Sequence, residues 1–482
     1  MRRIHNYSGG RLLPAASGRT FPVHEPATGG VLAHAPDSDE SDVAAAVASA
    51  AAAWPAWRGS RPEDRKRWLN RIADAIESRL ADFARAESDD TGKPLTLAST
   101  LDIPRAIANF RFFADAATQF ASEAHAMPGS AINYTLRQPL GVVACISPWN
   151  LPLYLLSWKI APALAAGNCV VAKPSEITPL TASMLGETCA ELGLPAGVLN
   201  ILHGFGASAG QALIEHPQVR AISFTGGTAT GRTIATAAAR DFKRVTLELG
   251  GKNATLVFAD ADFDAAVAGC VRAAFTNQGE ICLCGSRILI EASIYERFRD
   301  ALTARVKTLK VGDPLDPAND QGAIVSEAHM KKVLGAIEDA RRERGRILCG
   351  GSRVEVKEQR CAGGWFVAPT LIEGLAADCP VNREEIFGPV ATLLPFASEA
   401  EALELANSTR YGLAASLWSR DVARCHRVAE ALEAGVVWIN TWLMRDLRTP
   451  IGGVKHSGLG REGGLEALRF FTEPKNVCVQ YA

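Results

Sequence analysis

Several features that would set a protein class are missing from this chain. No stretch reaches about 18 uninterrupted apolar residues, so no membrane-spanning helix is expected. The opening MRRIHNYSGGRLLPAASGRT has basic residues but no apolar segment ahead of a small-residue cleavage site, and a cytoplasmic location is expected. Charge of one sign is also lacking: 51 Lys plus Arg face 52 Asp plus Glu, a formal charge of -1, so neither nucleic acid nor an anionic membrane is an expected partner. No repeat with a period of about 20 to 50 residues is visible, which argues against a solenoid or propeller.

Cysteine is present, but its usual patterns are not. Eleven cysteines, an odd count in a large chain without a secretory segment, argue against a disulfide framework. Cys282 and Cys284 sit one residue apart in NQGEICLCGSR with no second Cys or His pair nearby, the spacing a zinc site needs, and no metal is expected. Inert packing and a reactive thiol remain open for them.

What is there reads as a chain of several packed units. A chain of 482 residues is too long for one ordinary core, so two or three packed units are expected. Residues 41–90 are rich in Ala, Leu, Arg and Glu with apolar positions every three to four residues, and predict two or three amphipathic helices. After residue 139 the texture changes. LGVVACISPWN, GNCVVAKPSE, GVLNILHG and VRAISFTGG are short apolar runs ending at Gly, Pro, Ser or Asn and separated by helical stretches. That alternation predicts a parallel sheet covered on both faces, with ligands outside the carboxyl ends of its strands. A second unit of similar texture starts near residue 251 and ends near VVWINT. The stretch near 121–140, with its alternating INYTLRQ, and the tail FTEPKNVCVQYA fit neither unit; they predict strands of an added sheet shared between subunits.

Four motifs carry candidate chemistry, each with a plain structural alternative. SFTGGTATGR, at 223–232, follows an apolar strand and opens a helix, so Gly226, Gly227 and Gly231 either bring backbone N–H groups to a phosphate or simply make a connection. In AKPSE, Lys173 can reach ribose or phosphate and Glu176 can accept from ribose hydroxyls, which favours NAD over NADP; the alternative is a solvated ion pair. Glu248 in TLELGGKN is a carboxylate inside an apolar run, either structurally paired or a general base with a raised pKa. Asn150, between the prolines of PWNLPL, either donates to an oxyanion or caps a turn.

Taken in order, PWNLPL, AKPSE, FTGGTATG, LELGGKN, NQGEICLCGSR and EEIFGPV resemble the aldehyde dehydrogenase superfamily over nearly the whole chain. The resemblance implies an α/β fold: a Rossmann-like NAD-binding domain at 1–120 and 141–250, a second α/β catalytic domain at 251–440, and a small β oligomerisation extension at 121–140 and 465–482. It implies a homodimer or homotetramer acting on a small-molecule aldehyde. In the family pattern the nucleophile is the cysteine three after the glycine of N-Q-G, here Cys282. Asn150 and the Cys282 backbone N–H would hold the oxyanion, and Glu248 would activate water against the thioester, favouring hydrolysis over transfer to CoA. Cofactor contacts are implied for Trp149, Lys173, Ser175, Glu176, Gly226, Gly227, Gly231 and Leu249, with Glu385 on the nicotinamide ribose and Phe387 against the ring. Two departures stand out. Cys284 lies where many relatives have alanine and is read as packing, although strand-like alternation would point its thiol the same way as Cys282 and lend redox sensitivity. Glu280 replaces a commoner glutamine; facing inward it would raise the nearby thiol, so it points away or the site compensates.

Substrate class is read from DIPRAIANFRFF and WLMRDLRTPIGG, which resemble the branch that oxidises 2-hydroxymuconate and 2-aminomuconate semialdehydes. The resemblance places Arg105 and Arg445 at the approach to the thiol, where two arginines can hold a carboxylate through charge-assisted bonds. The plain alternative is surface ion pairing, for example Arg445 with Asp446. Competing readings are a dehydrogenase of another aldehyde, a non-redox thiol hydrolase, disfavoured because no His falls in the catalytic motifs, and a catalytically silent relative, disfavoured because Cys282, Glu248 and Asn150 are all present.

Overall fold

A computed structural model describes residues 2–481. The helical region after residue 39 is set by its caps. The Asp39 carboxylate accepts from the Ser41 N–H at 3.0 Å while Asp42 accepts from the Asp39 N–H at 3.1 Å, and helix Glu40–Gly59 starts there. Helix Pro62–Ser78 begins on a proline, and helix Leu80–Thr91 stops at Gly92, whose φ of 79° suits glycine. The three helices cover the first sheet and helices Ile103–Gln119 and Pro152–Ala165.

That sheet contains five parallel strands, in spatial order Leu199–Ile201, Cys169–Lys173, Val142–Ile146, Val219–Thr225, Arg244–Glu248. Their residues are almost all buried, as the uninterrupted apolar runs require of strands covered on both faces. Chain order reverses between Val142–Ile146 and Val219–Thr225. The loops leaving those two strands, carrying Trp149 and Asn150 on one side and Gly226 and Gly227 on the other, therefore diverge and leave a crevice.

The second sheet has six parallel strands, with Ala254–Val257 and Arg287–Glu291 at its centre, and an antiparallel edge strand at Arg346–Cys349. Beyond strand Val436–Ile439 the chain returns to the first sheet, where Gly458–Leu459 pairs antiparallel with Leu247 and Glu248. The two leftover segments meet: Ala124–Met127, Ala131–Pro139 and Thr472–Gln480 form a separate antiparallel sheet of three strands. The expected tail segment divides, however. Gly464–Phe470 is a helix whose Ala467 and Leu468 are buried in the first unit's core, and only the residues from Thr472 onward join the small sheet. The described residues include no helix long and apolar enough to cross a membrane.

Candidate active site

The loop before Cys282 explains the NQG motif. Asn277, Gln278 and Gly279 lie in succession at φ of 54°, 53° and 71°. Asn tolerates the left-handed region, and at Gly279 a Cβ would come within 2.1 Å of the Gly388 carbonyl oxygen. Side chains pin the strained run: Gln278 donates to the Ala323 carbonyl at 3.1 Å and Asn277 to the Glu280 carbonyl at 3.2 Å. The chain then makes a turn, closed by the Cys284 N–H donating to the Ile281 carbonyl at 2.9 Å. This corrects the expectation of strand-like alternation. Cys284 is buried with its thiol turned to the Thr276 carbonyl, 3.9 Å away, whereas Cys282 lines two cavities at once. Burial pushes the Cys282 thiol up to about 12, with the Glu385 and Glu248 carboxylates adding to the effect.

The first cavity is the crevice at the chain reversal. Trp149, Asn150, Gly226, Gly227, Leu249, Glu385 and Phe387 line it with Cys282, and His329 and Lys332 complete its wall. Gly250 permits the approach of Glu385: a Cβ there would lie 2.3 Å from the Glu385 Oε2, and the Gly251 N–H donates to Oε1 at 2.9 Å. Phe387, at φ 64°, packs edge-on to Trp149, and its carbonyl accepts from His329 Nε2 at 2.6 Å. Lys173, Ser175 and Glu176 are not in this cavity. They follow the neighbouring strand, where Lys173 Nζ donates to Glu176 at 3.3 Å, and Thr178 ties their loop to the Trp149 carbonyl at 3.1 Å. Gly231 does not line the crevice either; it lies beneath Leu249, whose side chain would meet a Cβ there at 2.5 Å.

The second cavity is mostly apolar, walled by Leu155, Trp158, Ile281 and Leu443, with Glu248 and Arg445 among its few charged groups. Glu248 ends its strand, is 8% exposed, and its Oε1 has no hydrogen-bond partner. Burial and the neighbouring Glu462 carboxylate hold its carboxyl well above the usual range. Glu462 and Lys159 went unrecognised in the sequence. Lys159 Nζ donates to Glu462 at 2.6 Å, and the Ser223 hydroxyl donates to the same carboxylate oxygen at 2.9 Å. The available signal was a lone cation in the apolar run LLSWKIAPALA, since lysine is rarely buried without a partner.

Asn150 is buried beside the thiol. Its side-chain amide donates to the Glu280 main-chain carbonyl at 2.8 Å, and the Asn150 main-chain carbonyl accepts from Lys93 Nζ at 2.9 Å. The Glu280 carboxylate is turned to the Val325 N–H, which donates to it at 3.2 Å; His329 Nε2 lies 3.8 Å away. Arg105 and Arg445 come together across a cleft leading to the second cavity. Asp446 pairs instead with Arg448 at 2.6 Å, and among the described residues neither Arg105 nor Arg445 has a carboxylate partner. Arg105 Nε and Nη2 are buried without any acceptor. No group of three or more His, Cys, Asp or Glu side chains among the described residues is placed to hold a metal ion.

A doubly wound sheet with a crevice at its reversal, joined through one cysteine to a mostly apolar cavity holding a carboxyl group, defines a class of cofactor-dependent aldehyde-oxidising enzymes. The chain matches the aldehyde dehydrogenase family over residues 13–477 and belongs to it. It is 48% identical over 480 residues to a 2-aminomuconic semialdehyde dehydrogenase of Danio rerio, covering 99% of this chain and 98% of that one. It is also 48% identical to a 2-hydroxymuconic semialdehyde dehydrogenase of Pseudomonas sp. (strain CF600), over 486 residues and the whole of both. Among solved structures, the NAD+ complex of an aldehyde dehydrogenase from Bacillus cereus superposes with a TM-score of 0.97 at 37% identity, covering 100% of this chain and 97% of that one.

Proposed function

We propose that this protein oxidises a carboxylate-bearing semialdehyde of the 2-hydroxymuconate or 2-aminomuconate type to the acid, with NAD as cofactor. The observation that carries the reading is the position of Cys282, shared by the crevice and by a mostly apolar cavity that a cleft reaches past Arg445 and Arg105, neither of which has a carboxylate partner among the described residues. The crevice fits a dinucleotide: Gly227 has nothing within 4 Å of where a Cβ would stand, and Glu385 sets a carboxylate in the wall. Trp149, Gly226, Leu249 and Phe387 would flank the cofactor, with Lys173, Ser175 and Glu176 beyond them. Bound NAD supplies the hydride acceptor that no side chain provides.

The chain's own residues do the rest. Cys282, once deprotonated, adds to the aldehyde carbon, and the Asn150 amide stands ready for the oxygen that becomes anionic. Loss of hydride from that carbon leaves an acyl thioester on Cys282. Glu248, whose raised pKa makes it a stronger base than an ordinary carboxylate, takes a proton from water as the water attacks the thioester. The products are the acid and a free thiol, so hydrolysis rather than transfer to CoA completes the cycle. We assign assembly into a dimer or tetramer to the small antiparallel sheet, which exposes Tyr134, Leu136 and Val479.

Replacing Arg105 or Arg445 by Ala tests the substrate class. Charge-assisted bonds worth about 1.5 to 3 kcal/mol predict a KM raised roughly 10- to 150-fold for a muconate-type semialdehyde and far less for a neutral aldehyde of similar length. The two losses should be non-additive if one carboxylate bridges both side chains. Equal losses on charged and neutral substrates would make the arginines structural and return the substrate to an unspecified aldehyde.

A further inference from the structure

The two arginines are joined by a residue that none of the sequence motifs singled out. Tyr154 lies in the first turn of helix Pro152–Ala165, four residues after Asn150, and is 6% exposed. Its phenolic oxygen accepts from Arg445 Nη1 at 3.0 Å. The Arg105 guanidinium lies over its ring, 5.6 Å from the centroid. A second tie fixes the same spacing: Asn109, one helical turn beyond Arg105, donates its amide to the Tyr154 carbonyl at 3.0 Å. Trp158, on the next turn, sits under Arg445, with the guanidinium 5.5 Å from its ring centroid.

Two like charges brought to one cleft repel each other, and a carboxylate between them would ordinarily answer that repulsion. Here no carboxylate among the described residues is in ion-pair contact with either arginine: Asp446 lines the same cleft but is held by Arg448. The protein supplies one neutral acceptor and two aromatic faces instead, which attract a guanidinium and leave Arg445 Nε and Nη2 without an acceptor, while Arg105 Nε and Nη2 are buried and equally unpartnered. An acidic side chain in place of Tyr154 would satisfy the arginines permanently and compete with substrate.

We infer that Tyr154 is a positioning residue for substrate selection: its hydroxyl holds Arg445 extended toward the cavity and its ring sets Arg105, so that the pair is pre-formed for the substrate carboxylate. The inference rests on the proposed reading that these arginines bind that carboxylate. It also explains how a charged-substrate site is kept at fixed reach from Cys282, because Tyr154 and Asn150 share one short segment.

The test compares Tyr154→Phe with Arg445→Ala, each assayed on a muconate-type semialdehyde and on a neutral aldehyde of the same length. Loss of one hydrogen bond to a charged group predicts that Tyr154→Phe lowers the ratio of kcat/KM for the charged over the neutral substrate about tenfold, with the change carried by KM. In the Tyr154→Phe background, the further effect of Arg445→Ala on that ratio should be smaller than in the parent enzyme, since the tyrosine acts through the arginine. An unchanged ratio in Tyr154→Phe while Arg445→Ala still discriminates would overturn the role of Tyr154 and leave the substrate reading standing. If neither variant changes the ratio, both fall. A Tyr154→Phe defect of equal size on both substrates would mark the hydroxyl as structural and also defeat the inference.

Discussion

The Asn150 side-chain amide donates to the main-chain carbonyl of Glu280 at 2.8 Å, two residues before Cys282. The bond crosses between the two α/β units, so the amide proposed to face the oxyanion and the thiol proposed to attack are held in one frame. Such fixed geometry is what transition-state stabilisation by preorganised donors requires.

The two thiols of the C-x-C pair are expected to behave differently. Cys282→Ser should abolish NADH formation while NAD still binds, because a serine hydroxyl has no accessible ionisation there. Cys284→Ala should keep most activity, since its thiol faces the Thr276 carbonyl and neither cavity. Steady-state rates and a binding titration on both variants check this; activity surviving in Cys282→Ser would transfer the role elsewhere.

Glu248→Ala should give one burst of NADH equal to the enzyme sites and then stall. Formation of the thioester needs no water, whereas its hydrolysis needs a base. Mass spectrometry should find the acyl group on Cys282, and unimpaired turnover would remove Glu248 from the mechanism.

Glu176 is expected to favour NAD over NADP, because a 2′-phosphate would meet its carboxylate. Lys173 holds that carboxylate at 3.3 Å beside the first sheet. Glu176→Gln should narrow the preference in a comparison of kcat/KM for the two cofactors. Equal use of both by the unmodified enzyme contradicts the placement.

Glu280 predicts a pH effect on stability. Burial holds its folded-state carboxyl well above the ordinary value of 4.5. Between the unfolded and folded pKa values the folded protein keeps a proton that the unfolded chain has lost, so stability declines as pH rises through that window, by up to about 1.4 kcal/mol per unit. Glu280→Gln removes the titration and leaves an oxygen for the Val325 N–H. Thermal unfolding should show the variant gaining on the parent at pH 8 and losing that advantage near pH 5; a pH-independent difference would refute it.

Much of this enzyme is legible in its sequence because the relevant information is local. Continuous apolar runs ending in Gly or Pro are what a parallel strand covered on both faces demands, and they placed the strands ending at Lys173 and Glu248. Gly279 and Gly250 mark places where a backbone or a carboxylate approaches too closely for any Cβ, and the motifs around Cys282 and Glu248 are readable for that reason. The turn between Cys282 and Cys284 is not legible in the sequence, because two apolar-flanked residues fit alternation as well as they fit a bend.

What the tertiary structure alone decided is which distant residues share a cavity. Lys159 meets Glu462 across 303 positions, and Tyr154 meets Arg445 across 291, because the chain leaves the second sheet and returns to pair with the strand ending at Glu248. No local period encodes that return. Nor does a sequence state how deeply a group is buried: the raised carboxyl of Glu248 and the thiol of Cys282 pushed up to about 12 both follow first from burial by surrounding packing. Local sequence marks the candidate side chains; the fold sets their neighbours and their burial, and so the direction in which each ionisation moves.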